Sequence, residues 1–437
     1  MIRFLGKLWR DRRGNALIIA GASLPLLVGA AGLATDTIQW VTWKRELQRA
    51  ADSAAFAGVY ALAQSNPAAS AVATDLTKNN YTAVALKTGF PDCGGKCQIE
   101  YPPSPDWENA VKVTLAVQRT LGFSSLFLST APTITVSGTA AMLDSGEYCV
   151  VALGKGSGPG ITIGGSSNTN MGCDGISNKK GAGSVVQNGG ASAFHADIMA
   201  AAGSMPSSII GVTTLKPNHL PLPDPYAGKF STTVPTGTAC SNFVTHRTNL
   251  GTGANPNYHL SPGCYSGFAP NGNNTYTLDP GVYYVNNTDF VLNGQDTLIG
   301  SNVTIVLTGT TPGRVSINGT STVNLSAPTA SNCGVFSGVN TCSYENMLFI
   351  QSPTATLNNN NTINGTNGSF LDGAFYFPNG ALNMSGNAGS LTNCAMIVAN
   401  QVVFTGNSNL QNSLTHPDGT ACKANTTVAG KEVRLIG

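Results

Sequence analysis

Three hydrophobic textures follow one another along the chain. From Asn15 to Thr35, apolar and small residues run without a single charge. At about 1.5 Å per helical residue the run reaches ~30 Å, the thickness of a bilayer's hydrocarbon core. It continues directly into "DTIQWVTWKRELQRAADSAAFAGVYALAQ", rich in Ala, Leu, Gln, Arg and Glu, with no Pro or Gly pair at the join. Those residues favour helix, so the pattern predicts one long helix ending at "SNP", Ser65 to Pro67. Pro25 interrupts its apolar half and is expected to kink it.

The second texture mixes periods. "AASAVATDLTKNNYTAVAL" keeps a helical spacing that stops before Gly89-Phe90-Pro91, and "AVKVTLAVQRT" alternates as a half-buried strand does. "GFSSLFLST" suits a short helix, and "PTITVSGTAAML" is a second β-rich run. The order predicts a small α+β domain over 65–145.

From Glu147 onward, short apolar runs alternate with Gly/Asn/Ser/Thr turns, recurring about every eight to twelve residues with no long helix between them. A sandwich, an up-and-down barrel and a solenoid all fit that spacing. Very short strands favour the solenoid. So does Asn at corners, as in Asn358 to Asn361, because stacked Asn side chains can hydrogen-bond along a ladder of similar turns. The stretch Leu278 to Gly309 resembles a rung of a right-handed parallel β-helix. The expected fold is therefore mainly β: an N-terminal transmembrane helix, the α+β unit, then a parallel β-helix over 146–437. A β-sandwich or jelly roll is the alternative. A Pro-rich stretch at about 202–264 predicts an excursion pinned by Cys240 and Cys264, and "FHADIMAAAGSM" before it predicts a capping helix.

Charge orients the helix. Arg3, Lys7, Arg10, Arg12 and Arg13 stand against Asp11 alone before the apolar run. Basic flanks stay cytoplasmic, which makes 1–14 a cytoplasmic leader, 15–35 the span, 36–64 its helical continuation and everything beyond it extracytoplasmic. Trp40 and Trp43 fall where an aromatic belt sits. A cleaved signal peptide is the rival, since Gly32 and Ala34 offer a small-residue site, but the run exceeds the usual h-region of roughly 7–15 residues. Across the whole chain charge is scarce, at 10% of residues against roughly 25% for ordinary soluble chains, and 51 glycines supply turns instead. The net charge of +2, with no basic patch recurring, argues against a nucleic-acid partner.

Ten cysteines, none at zinc-finger spacing to a His, suit disulfides made in an oxidising compartment. Sequence order suggests Cys93–Cys97, Cys149–Cys173, Cys240–Cys264, Cys333–Cys342 and Cys394–Cys422, although order alone does not dictate connectivity and buried free thiols are the alternative. Ala50, Ala54 and Gly58 form a smooth helix face for close packing, either within an assembly or against the protein's own next domain.

The stretch "RRGNALIIAGASLPLLVGAAGLATDTIQWVTWKRELQRAADSAAFAGVYAL" resembles the N-terminal module of TadE/TadG-like, tight-adherence (Flp) pilus-assembly proteins. The shared features are the Arg-Arg-Gly before the run, its internal Pro, the Asp at its end and "LQRAADSAAFAG". The resemblance implies a single-pass protein of the bacterial inner membrane whose partners are the lipid bilayer and other Tad-system envelope or pilus subunits. It has limits. Processed pilin-like members carry Glu five residues after the cleaved Gly, where Ile19 follows Gly14 here. The Asp-x-Ser-x-Ser metal motif of a von Willebrand A domain is missing.

Little chemistry is expected. Between Gly281 and Asn412 the charged residues are Asp289, Asp296, Arg314, Glu345 and Asp372, with no pair of carboxylates adjacent in sequence. His195, His219, His246, His259 and His416 share no ligand spacing, and no phosphate, nucleophile or zinc motif occurs. No catalytic residue, cofactor site or metal site is expected. A surface adhesin or carbohydrate-binding protein is the alternative function, with glycans stacking on Tyr276, Tyr283, Tyr284, Phe375, Tyr376 and Phe377, for which core packing is the competing role; a polysaccharide-active enzyme using Asp289 or Asp372 is the third reading.

Overall fold

The computed structural model describes residues 13–78, 86–250, 257–318, 320–357, 359–365, 369–386, 389–407, 409–413, 422 and 427–436. The basic leader before Arg13 and His416 lie outside them. The chain divides into two compact units, Met1–Asp144 with Glu432–Gly437, and Ser145–Lys431.

The first unit is built on one helix, α1 (Arg13–Ala63). A turn at Gln64–Pro67 ends it, with Ser65 in the left-handed region at φ 58°. The chain re-enters helix as α2 (Ala68–Lys78), whose Ala68 and Val72 are buried. Three strands follow: β1 (Gln98–Glu100), β2 (Glu108–Gln118) and β3 (Thr133–Ala152). β2 pairs antiparallel with both β1 and β3, Gln118 facing Thr133 and Val113 facing Gly138. Alternation along β2 turns Val111, Val113, Leu115 and Val117 inward, as a half-buried strand requires. Between β2 and β3 lies a single 3₁₀ turn, Ser124–Leu126. The final strand, Val428–Leu435, pairs with β3, which brings the last residues back to the first unit.

The second unit is mainly β, and its sheet is largely parallel. Strand pairings fall into three ladders. In one, Gly281–Asn286, Val303–Thr308, Met347–Gln351 and the starts of Ala374–Gly386 and Ile397–Phe404 pair in turn. A second runs through Phe290–Gly294, Val315–Ile317, Asn359–Gly365 and the second halves of the same two long strands. The third joins Thr275–Leu278, Thr297–Gly300, Thr322–Ser326, Phe370–Asp372, Gly389–Asn393 and Asn409–Ser413.

All three ladders then continue onto strands that come earlier in the chain. Ile397–Ala399 pairs with Val150–Ala152, Val402–Phe404 with Ile161–Ile163, and Asn409–Gln411 with Asn168–Asn170. The first-made strands therefore sit at the far end of the stack. The chain must return to the start, and residues between Pro217 and Cys240 do so as a strap along its side. Leu222 exchanges two hydrogen bonds with the buried Asn178 side chain, at 2.7 and 2.8 Å. Further along, Tyr226 meets Tyr376 edge-on, Tyr376 donates to Asp224, and Tyr344 donates to the Ser231 carbonyl. Thr308 donates to the Thr232 carbonyl, and Cys240 then closes on Cys264, its register partner in the first parallel pair. The Pro-rich stretch is thus held along most of its course, not only at its cysteines.

The interior is a column of large apolar side chains. Phe268 stacks on Phe290 at 4.2 Å, and Phe290, Phe349 and Phe375 follow at 5.9 and 5.8 Å. Each such ring, fully removed from water, contributes on the order of 1.5–3 kcal/mol. Polar corners accompany it. Asn318 donates to Asn293, Ser385 donates to Asn364, and buried Asn361 accepts from Val315 N while donating to the Ala381 carbonyl. Scarce charge is possible because these uncharged amides satisfy the turns.

Two expectations are corrected. "FHADIMAAAGSM" is not a helix but the strand Ala193–Ala201, held between Asp174–Ser177 and Val212–Pro217. Parallel pairing on both edges overrides the helix propensity of its alanines, and Phe194, Met199, Ala200 and Ala201 are buried. Likewise Tyr276, Tyr283, Tyr284, Phe375, Tyr376 and Phe377 are all buried, so none presents a ring to a glycan. Phe375 packs on Phe349, and Tyr376 on Tyr226 of the strap.

Candidate functional site

The surface that departs most from a water-soluble protein is the first part of α1. Leu24, Leu26, Leu27, Val28, Leu33 and Ile38 are all exposed, Leu26 at 75%. Helix Gly21–Ala63 is long and apolar enough to cross a membrane. Its threonines do not reach outward for water. Thr35 donates to the Ala31 carbonyl, Thr37 to Leu33 and Thr42 to Ile38, each within the helix itself. Trp40 and Trp43 lie one and two turns past Asp36. Lys44 lies 5.6 Å from the Trp40 ring and Arg119 5.6 Å from the Trp43 ring.

Asp36 is the exception in this exposed half, being buried. Its carboxylate takes the free N–H groups that open the 3₁₀ turn, from Phe123 at 3.0 Å and Ser124 at 2.5 Å, together with the Ser124 hydroxyl. The turn that follows β2 is thereby tied to the helix, and the Phe123 ring lies against Gly32 and Gly29. A side chain at Gly32 would collide with that ring, its Cβ only 2.3 Å away. In the sequence "TDT" read only as the end of the apolar run. Nothing local there shows that its partner lies 88 residues away.

Beyond Glu46 the same helix reverses its character. Leu47, Ala50, Ala51, Ala54, Ala55 and Val59 are buried. A Cβ on Gly58 would meet Val111 at 2.9 Å and Val72 at 3.1 Å, and one on Gly138 would meet the Asp52 N at 2.7 Å. Ala50, Ala54 and Gly58 therefore face the unit's own sheet and α2. Small residues let the helix backbone approach the sheet, which fixes how α1 leaves the domain.

Every cysteine is paired: Cys93–Cys97, Cys149–Cys173, Cys240–Cys264, Cys333–Cys342 and Cys394–Cys422. The carboxylates weighed for catalysis are placed differently from one another. Asp289 forms an ion pair with Arg314 at 3.2 Å, Asp296 accepts from Asn274 N inside a corner, and Asp372 is buried in a ladder. Burial pushes the Asp296 carboxyl above the usual carboxylate range. His195 bonds Asn168, His219 is buried against Leu220, and His259 meets Asp279. Ser241 lies 2.8 Å from His246 Nε2, an arrangement that invites a nucleophile reading. The same nitrogen lies 3.0 Å from the Cys264 carbonyl, which can only accept, so Nε2 carries the proton and is no base for Ser241. Among the described residues, no three His, Cys, Asp or Glu side chains group as a metal site.

Comparison with known proteins bears on the helix. Residues 14–73 match the family model for Tad, Flp pilus-assembly TadE/G-like. No curated protein matches the chain. Among solved structures, it aligns with the crystal structure of the competence-associated pilin ComZ from Thermus thermophilus. That alignment has 8% identity, covers 78% of this chain and 87% of that one, and has a TM-score of 0.22, too low to carry an argument. An exposed apolar helix with this match is consistent with a membrane anchor. The matched segment, residues 14–73, spans α1 and the start of α2 and is similar to a TadE/G-like pilus-assembly module.

Proposed function

We propose that this chain is a structural component of a Tad/Flp-type pilus assembly or secretion system, anchored in the inner membrane by α1. The carrying observation is that the TadE/G-like match over 14–73 falls on a helix whose large apolar side chains are exposed. The basic leader would hold the N-terminus in the cytoplasm, and both units would stand outside it. The three parallel ladders support a right-handed parallel β-helix as the displayed body, since parallel crossovers in one sheet are overwhelmingly right-handed. A structural rather than enzymatic role accords with the separate placement of Asp289, Asp296 and Asp372. The partners would be the bilayer and other envelope or pilus subunits of the same system.

Shearing the cell surface and probing both fractions with an antibody to the second unit tests this reading. The protein is expected in the inner-membrane fraction at full length. Recovery of a soluble form lacking the apolar run from culture medium would sink it.

A further inference from the structure

The turn after β2 carries its own unexplained surface. Leu126, Phe127 and Leu128 are 74%, 75% and 52% exposed, three consecutive large apolar residues at the tip of the segment Gly122–Thr130. Three facts place this tip. Phe123 and Ser124 are bonded to Asp36, and the Phe123 ring reaches back to Gly32 and Gly29. Gly29 lies seven residues before Asp36, roughly 10 Å along the helix toward its N-terminus. The turn therefore lies beside the last two turns of the apolar run, below the level of Trp40 and Trp43.

Irregular backbone enters hydrocarbon at least cost when its polar groups are satisfied internally, and in this turn the donors are. Phe123 N and Ser124 N donate to Asp36, Ser125 N to Leu121 O, Leu126 N to Phe123 O, and Phe127 N and Leu128 N to Ser124 O. The Ser125 hydroxyl donates to the Gly122 carbonyl. From Phe123 to Leu128 every backbone donor has an acceptor within the turn or on Asp36.

We propose that the Gly122–Leu128 turn is a second membrane-contacting element, seated in the outer part of the same leaflet beside α1. Leu126, Phe127 and Leu128 enter the acyl-chain region, while Arg119, Lys44, Trp40 and Trp43 mark the headgroup level above them. The occupant of this surface is lipid, because the Phe123 ring joins it to the exposed apolar part of α1 at Gly29 and Gly32. The turn would fix the tilt of the helix relative to the domain it carries. The proposal rests on the membrane-anchor reading, and its test separates the two.

The test uses the full chain in vesicles of phosphatidylethanolamine and phosphatidylglycerol, with a nitroxide on Phe127→Cys. Since all native cysteines are paired, the added thiol is the one labelled. Leu27→Cys on α1 and Val244→Cys on the second unit serve as references. The label at 127 is expected to collide with oxygen several-fold more than with a water-soluble nickel chelate, as at 27, while 244 shows the reverse. Lipid at 27 with water at 127 overturns the turn alone. Water at both positions overturns the anchor and the turn with it. A label at 127 immobilised and shielded from both reagents means protein covers the surface, and overturns lipid as the occupant.

Discussion

The two halves of α1 are both apolar, yet they arrange side-chain size in opposite ways. Before Glu46 the large residues point outward and glycine faces the turn, so Leu26 is 75% exposed while Gly32 meets Phe123. After it the small residues point inward, and Ala51 and Ala54 are fully buried against the sheet. A water-solvated helix buries its large residues and exposes its polar ones. The outer half leaves large residues such as Leu26 and Leu27 uncovered, the arrangement expected of a surface meeting lipid. The inner half uses smallness to bring backbones close. The comparison teaches that hydrophobicity locates such a helix, while the size pattern tells which solvent each part meets.

A charge in the outer half tests that contrast most strongly. Leu27→Arg places a guanidinium well inside the apolar run at a cost of about 2.5–3.5 kcal/mol for insertion. Most of the protein is then expected in the alkaline-carbonate supernatant, whereas Gln39→Arg at the boundary leaves it in the pellet. An unchanged pellet fraction for Leu27→Arg would erase the difference between the halves.

Bulk in the inner half comes next. Gly58→Leu drives side-chain atoms into Val111 and Val72, and overpacking of this kind costs about 1–3 kcal/mol. A lowered thermal midpoint for the first unit in detergent is the expected result. Leu26→Ala, measured the same way, changes stability by less than about 0.5 kcal/mol, since detergent replaces lipid around it.

The strap offers a third contrast, between a segment that looks irregular and helix half-turns that are regular. Asn178→Ala removes both partners of Leu222 and leaves a buried N–H and carbonyl unpaired, at about 1–3 kcal/mol. Limited proteolysis should cut between Pro217 and Cys240 faster than in the parent. Equal rates would mean that the two Asn178 bonds do not hold the strap.

The smallest effect concerns two buried acids. Asp36 is met by three donors, while Asp296 accepts from Asn274 N and burial raises its pKa. A raised carboxyl favours the protonated folded state, so its contribution is present at low pH and lost as pH rises through its folded value. Asp296→Asn removes that loss. Its urea midpoint relative to the parent is therefore expected to improve from pH 4 to pH 7, and a flat difference would reject burial as the cause.

Much of the architecture was legible because it is periodic. The uncharged run, the alternation in β2 and the short strands from Glu147 onward each repeat a signal that local chemistry sets. The Asn corners were legible too, since an amide that repeats with the turns can bond along the stack, as Asn318 does to Asn293. The Ala193–Ala201 strand was not, because its helix-favouring alanines were decided by neighbours on both edges. Nor was the fate of Tyr283 or Phe377 as core, since a strand's sequence does not say which face the next rung covers.

By itself the sequence determined that one end of this protein is an apolar helix with basic residues before it, and that the rest is short strands separated by uncharged turns. Those are properties of composition and period, carried by each segment alone. Only the tertiary structure decided that the earliest strands complete the far end of the stack, that a Pro-rich strap runs back along its side, and that Asp36 holds the turn of Ser124 and Phe127. Each of these joins residues far apart in the chain. It is the ladders and the sheet that bring these partners together.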